Sequence, residues 1–140
     1  MSVFLYVFDI INQMGKHRVY LPSCDRKNLT DHELSAAEIL ADYYQQDVYW
    51  LTTRPSNKMP DLMINGTMWE LKSPTGQSRR TIQNNLRRAC QQSQNVIIDL
   101  RRCPQKDARV IARIKHELSG ANKIKRLLVI KKNKRVVVIK

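Results

Sequence analysis

The sequence contains no Cys-x-x-Cys pair, and its three cysteines, Cys24, Cys90 and Cys103, are odd in number. Neither a disulfide framework nor a zinc knuckle fits that pattern. Free thiols in a reducing compartment do. His17, His32 and His116 stand apart, without metal-ligand spacing. No apolar run approaches the roughly 20 residues of a membrane-spanning helix. The apolar opening from Ser2 to Ile11 is broken by Asp9 and has no basic segment before it, so it reads as a strand or a packed N-terminal arm and not as a signal peptide. Internal repeats and low-complexity blocks are absent. No targeting signal is seen, which makes a cytoplasmic site of action the default. A domain delivered as part of a larger secreted toxin would look the same.

Acid is scarce. Twelve Asp and Glu stand against 25 Lys and Arg, a formal charge of +13 with a pI near 10.1. Such a surface gathers polyanions, nucleic acid first among them. A membrane surface is the weaker alternative, because the basic residues are spread over several segments and not collected on one amphipathic helix. The 140 residues suffice for one domain with a single core, residues 1–140.

The stretch richest in chemistry is Pro60 to Lys72, Pro-Asp-Leu-Met-Ile-Asn-Gly-Thr-Met-Trp-Glu-Leu-Lys. Asn65-Gly66 is the residue pair of a two-residue type I′ turn, and the flanks alternate as strands do. With those two as the loop, Ile64 pairs with Thr67, Met63 with Met68, Leu62 with Trp69 and Asp61 with Glu70. Two carboxylates then face each other, at a spacing of about 4.5–5.5 Å between Cβ atoms that destabilises like charges. Lys72, two residues past Glu70, shares their face. Leu62, Ile64, Trp69 and Leu71 line the other face. Oxygen donors so placed suit a hard divalent cation such as Mg²⁺ or Mn²⁺. A surface hairpin with a Glu-Lys salt bridge is the plainer reading of the same residues.

The surrounding chain is an alternation of helices and strands. After a loop with a short strand at Arg18 to Leu21, Thr30-Asp31-His32-Glu33 is a capping box that opens a helix over Asp31 to Gln45. Ala36, Ala37, Leu40, Ala41, Tyr43 and Tyr44 form its apolar side, with Glu38 at the border, placed either to lean inward or to stay solvated. A strand follows at Asp47 to Thr52, a loop at Arg54 to Lys58, and then the hairpin. Ser78 is the expected N-cap of a helix over Arg79 to Ser93. Ile82, Leu86, Ala89, Cys90 and Ser93 mark its buried side. Arg80, Asn84, Arg87 and Gln91 form a polar stripe on the opposite side, with Arg79 and Arg88 alongside, suited either to phosphate contacts or simply to solvent. Asn95 to Leu100 reads as a central strand. Pro104 to Ser119 reads as a helix with Ala108, Ile111, Ala112, Ile114 and Leu118 inward and Gly120 as its C-cap. Arg126 to Ile130 and Arg135 to Lys140 flank a loop, Lys131 to Lys134, whose lysines either contact phosphate or protect a sheet edge.

The expected fold is therefore α/β with a mixed central sheet. Its αβββαβ order from Asp31 to Leu100, with Pro60-Asp61 followed by Glu70-Leu71-Lys72, resembles the restriction-endonuclease-like core of the PD-(D/E)xK nuclease superfamily. On that resemblance residues 1–29 are an N-terminal arm, 30–102 the catalytic core, and 103–140 an additional helix and C-terminal β-hairpin. Within the superfamily, Trp69-Glu70-Leu71-Lys72-Ser73-Pro74, Arg80-Thr81-Ile82, Asn85-Leu86, Gln92-Ser93 and Val96 to Leu100 are similar to C-terminal toxin domains of contact-dependent growth inhibition systems, which include transfer-RNA nucleases. The resemblance implies a toxin that is a metal-dependent endonuclease. Asp61, Glu70 and the backbone carbonyl of Leu71 would bind one cation, Mg²⁺ or alternatively Mn²⁺ or Zn²⁺. Glu38 would reach it through water or hold a second ion, and Lys72 would activate water or stabilise the transition state. Arg79, Arg80, Asn84, Arg87 and Gln91 would contact nucleic acid, RNA in preference to DNA, and an acidic immunity protein would cover the site. A resolvase-like DNA endonuclease and a non-catalytic basic nucleic-acid-binding module are the alternatives.

Overall fold

The Glu33 N–H donates to Thr30 Oγ1 at 3.4 Å, and the Thr30 N–H donates to Glu33 Oε1 at 3.2 Å. From this capping box helix α1 runs over Asp31–Tyr44, ending at Gln45 in the left-handed conformation, φ 52°. The reciprocal bonds satisfy two N–H groups that every helix start leaves orphaned. The computed structural model describes residues 17–21, 29–51, 59–120 and 123–140. The apolar opening, Cys24 and the loop expected at Arg54 to Lys58 lie outside the described residues. Among those described, the chain has three helices and seven strands in a mixed α/β arrangement, divided into two compact units, Met1–Met68 and Trp69–Lys140. No described helix is long and apolar enough to cross a membrane.

In the first unit β1 (Val19–Tyr20) lies parallel to β2 (Val48–Trp50), and β2 pairs antiparallel with β3 (Leu62–Ile64). Val48 sits beside Val19 and Ile64, and Trp50 beside Leu62. All five are buried, together with Ala36, Ala37, Leu40 and Ala41 of α1, which packs on β1 and β2. Small alanines on that helix face permit a close approach to the strands. Tyr43, expected inward, is instead exposed, forming an edge-to-face pair with Tyr44. On the other side of the strands Tyr20 and Tyr49 stack at 4.9 Å between ring centroids. The turn after β3 has φ 48° at Asn65 and 77° at Gly66, the pair of left-handed residues that a type I′ turn requires, and it leads into β4 (Thr67–Lys72).

From Trp69 onward the chain builds a second mixed sheet region. β4 is parallel to β5 (Asn95–Asp99), β5 is parallel to β6 (Arg126–Ile130), and β6 is antiparallel to β7 (Val136–Val138). The parallel crossovers are helices α2 (Thr81–Gln92) and α3 (Asp107–Gly120). One core cluster joins Ile82, Leu86 and Ala89 of α2, Val110 and Ile114 of α3, and Val96, Ile98, Leu127 and Val129 of the sheet. Each of its buried Val, Leu and Ile side chains contributes about 1.5–3 kcal/mol by leaving water.

Several expectations for this unit are corrected. Helix α2 begins at Thr81 and not at Arg79, because Ser78 accepts the Arg80 N–H at 3.2 Å and shapes a turn before the helix instead of capping it. In α3 the buried residues are Val110 and Ile114. Ala108 and Ala112 face solvent, and Ile111 and Leu118 are only partly buried against the core. Gly120 is the last helical residue and not a cap beyond the helix. Lys132 of the β6–β7 loop holds the start of α3, its Nζ 3.0 Å from Asp107 Oδ1 and its backbone N–H donating to Asp107 Oδ2 at 3.3 Å.

Candidate functional site

Strand β4 alternates, and the two ends of its Trp-Glu-Leu-Lys run meet different surroundings. Registered partners in a parallel pair point to the same side of a sheet. Glu70 is beside Val96 and Lys72 beside Ile98, so both carry their side chains to the face on which α2 and α3 pack. Trp69 and Leu71 are buried from the opposite face. Glu70 is only 2% exposed, and Lys72 Nζ lies 2.9 Å from its Oε2. A carboxylate in that position without a counter-charge would cost several kcal/mol in lost hydration, which the ammonium offsets. Lys72 remains partly open to solvent, its side chain 21% exposed. The pair is thus a buried carboxylate and a partly exposed ammonium at the end of one strand.

The remaining expected site residues are distributed as follows. Asp61 directly precedes β3 in the first unit, is half-buried, and its backbone carbonyl accepts the Leu51 N–H at 2.8 Å. Glu38 is exposed on α1, so of its two expected orientations the structure shows the solvated one. Within each unit, no group of three or more His, Cys, Asp or Glu side chains converges among the described residues. Arg79 and Arg80 are exposed in the turn before α2. Asn84 is half-buried and accepts from Arg87 Nη2 at 3.1 Å, while Arg87 and Gln91 are exposed on the same side of the helix. The structure therefore brings Glu70 and Lys72 into contact and ties Arg87 to Asn84.

The family model for the contact-dependent growth inhibition CdiA C-terminal domain matches residues 58–136, more than half of the chain. The chain belongs to that family. It is a toxin domain of contact-dependent growth inhibition. Among solved structures, this CdiA C-terminal domain is similar to the CdiA-CT/CdiI toxin and immunity complex from Burkholderia pseudomallei, with a TM-score of 0.61, 24% sequence identity, and coverage of 78% of this chain and 82% of that one. At that identity the likeness is one of fold. No curated protein matches.

A second feature of the CdiA C-terminal domain went unread in its sequence. A cleft of about 570 Å³ between the start of α2 and the outer face of α3 is lined by Arg79, Arg80, Arg109, Arg113, His116 and Glu117, among others. Arg113 Nη1 donates to the Arg79 carbonyl at 2.8 Å, and Gln105 Nε2 donates to the carbonyls of Gly76 and Ser78 at 3.2 and 3.3 Å. These bonds fix the segment that carries Arg79 and Arg80 against α3. The signal was present in the spacing, since Arg109, Arg113 and His116 recur at i, i+4 and i+7 on one helix face.

Proposed function

We propose that this toxin domain is a metal-dependent nuclease that hydrolyses phosphodiester bonds of structured RNA, transfer RNA foremost, in the cytoplasm of the cell it enters. The observation that carries this reading is the buried Glu70 held by Lys72 at 2.9 Å, within a chain of formal charge +13. Phosphodiester hydrolysis needs an activated water and compensation for charge growing on the phosphoryl oxygens. Lys72, partly open to solvent beside a fixed carboxylate, is suited to steady that charge and to hold the water. Glu70 orients the ammonium and offers hard oxygen donors, as does the Leu71 backbone carbonyl.

That donor chemistry fits Mg²⁺ or Mn²⁺ better than a softer ion. One carboxylate and one carbonyl are fewer oxygens than such an ion takes from protein and water together, so further ligands are needed. Asp61 and Glu38 are the candidates from the sequence. Bound at Glu70, a divalent cation supplies Lewis-acid polarisation of a phosphoryl oxygen and a more acidic water. Arg79, Arg80, Asn84, Arg87 and Gln91 contribute to holding the polyanion. An acidic immunity protein is proposed as the partner that silences the domain, in keeping with the toxin and immunity complex to which its fold is similar.

Purified domain incubated with total transfer RNA and with plasmid DNA, each with Mg²⁺, Mn²⁺, Zn²⁺ or excess EDTA, tests the reading. RNA cleavage that requires metal and disappears in Glu70→Ala, Lys72→Ala and Asp61→Ala is the expected result. Cleavage surviving excess EDTA would sink the metal dependence. A fully active Glu70→Ala protein, or intact RNA and DNA under every condition, would sink the nuclease assignment.

A further inference from the structure

The cleft between α2 and α3 concentrates four guanidinium groups around one acid. Arg79, Arg80, Arg109 and Arg113 line it with Glu117, and none of the four is within ion-pair distance of a carboxylate among the described residues. Four like charges gathered on two packed elements repel one another, and a structural role would be expected to interleave them with acids. Arg113 adds an independent sign. Its Nη1 is spent on the Arg79 carbonyl, while its buried Nε finds no acceptor. A buried donor left without an acceptor costs about 1–3 kcal/mol, a cost that a ligand oxygen would remove.

We infer that this cleft is a phosphate-binding site for the RNA backbone, a docking point on the helical layer that is separate from the Glu70–Lys72 pair on β4. The chemistry selects phosphate. Guanidinium forks match the oxygens of a phosphate bidentately, and Arg109 and Arg113, one helical turn apart on α3, present two forks along a single stripe. His116 continues that stripe as a further donor. The Arg113 and Gln105 bonds that hold the segment from Gly76 to Arg79 keep the other two arginines in place before any ligand arrives, which lowers the ordering cost of binding. The cleft rests on the proposed RNA substrate only for the identity of its polymer. Its function as a phosphate site does not depend on cleavage.

The test measures binding with cleavage switched off. In the full chain carrying Glu70→Gln, in EDTA, the affinity for unfractionated transfer RNA is followed against salt concentration for three further forms: Arg109→Gln, Arg109→Lys and the Arg79→Gln/Arg109→Gln pair. Arg113 is left intact because it pins the Arg79 segment. The slope of log affinity against log salt should fall in magnitude by about 1 for Arg109→Gln and about 2 for the pair, with Arg109→Lys keeping the parental slope. Unchanged melting curves establish that the fold is retained. A slope unaffected in the pair would overturn the inference, as would Arg109→Lys behaving like Arg109→Gln. The same forms are also titrated with polyglutamate, and retained transfer-RNA binding with loss of polyglutamate binding in the pair would overturn it in favour of an acidic protein partner. Reduced slopes in a domain that cuts no nucleic acid would uphold the cleft while refuting the nuclease assignment.

Discussion

Lys72→Ala separates the structural from the chemical part of the Glu70–Lys72 pair. The substitution withdraws the ammonium from a carboxylate that is 2% exposed and leaves that carboxylate in place. Breaking a buried ion pair from one side costs about 3–5 kcal/mol, most of it the solvation deficit of the charge left behind. Two features reduce that figure. The Lys72 side chain is 21% exposed, so water can enter where it was, and Glu70 has interactions besides the one with Lys72. The expected loss is about 2–3 kcal/mol, between the buried and the exposed limits. Glu70→Gln should cost less, about 1 kcal/mol, because it removes the buried charge and leaves a lysine that can turn to solvent. The double variant should be more stable than the sum of the two losses implies, since it has no stranded carboxylate. Urea denaturation with equal m-values across the four proteins measures all three quantities. A Lys72→Ala domain within about 0.5 kcal/mol of wild type would refute the reasoning, because the pair would then be behaving as a surface salt bridge. It also follows that cleavage by Lys72→Ala must be assayed well below its unfolding transition, where lost activity reports chemistry.

Thr30→Ala removes the side-chain half of the capping box at α1, the acceptor of the Glu33 N–H, and should cost about 1 kcal/mol, read as faster hydrogen exchange in the first turn of that helix. Gly76→Ala would place a Cβ 2.5 Å from Thr81 Oγ1 and 3.2 Å from its Cγ2, so a loss of about 1–3 kcal/mol is expected. Thr81→Ala in the same chain should recover much of it, and a double variant as unstable as the single one would show that the contact is not the cause. The Tyr49 phenol is raised above its ordinary 10.0 by desolvation first, then by the charges of Asp47 and Tyr20. The folded state therefore holds that proton longer than the unfolded chain, and this contribution to stability is present below pH 10 and is lost as pH rises through the folded value. Ultraviolet titration should show Tyr49 ionising later than a free tyrosine, and Asp47→Asn should bring it earlier.

What the sequence revealed depended on how local the cause was. The capping box, the Asn65-Gly66 turn, Leu62 and Ile64 of β3, and Ile82, Leu86 and Ala89 of α2 are set by residues a few positions apart, and they stand where the pattern puts them, whereas Cys90 is only partly buried and Ser93 lies just past the helix. The burial of Glu70 was not readable that way. It follows from the pairing of Glu70 on β4 with Val96 on β5 and from the helices laid over that face, all of them beyond the reach of a local pattern. The terminal strands show the same limit. Their hairpin was evident, but its first strand is also the parallel neighbour of β5, a pairing that periodicity does not encode. In α3, alanine was a poor guide because it packs and tolerates solvent almost equally, so Ala108 and Ala112 drew the expected stripe away from Val110, while Ile114 is buried as the pattern puts it. Glu38 and the lysine loop were ambiguous for a related reason. Long charged side chains are placed by their partners, as Lys132 is by Asp107.

The strand order from β4 to β7 is the order of the chain itself, each strand lying next to the one made before it. No strand has to be threaded between two already in place. The sheet can be laid down in one direction, each helical crossover closing over the seam just formed, so a chain arriving N-terminus first gains a complete hydrogen-bonded edge at every step. Shortening it from the other end would strip β7 first and turn β6, four of whose five residues are buried, into an open edge. In such a truncated chain the hazard would be self-association along that edge, with the β4 pair left covered.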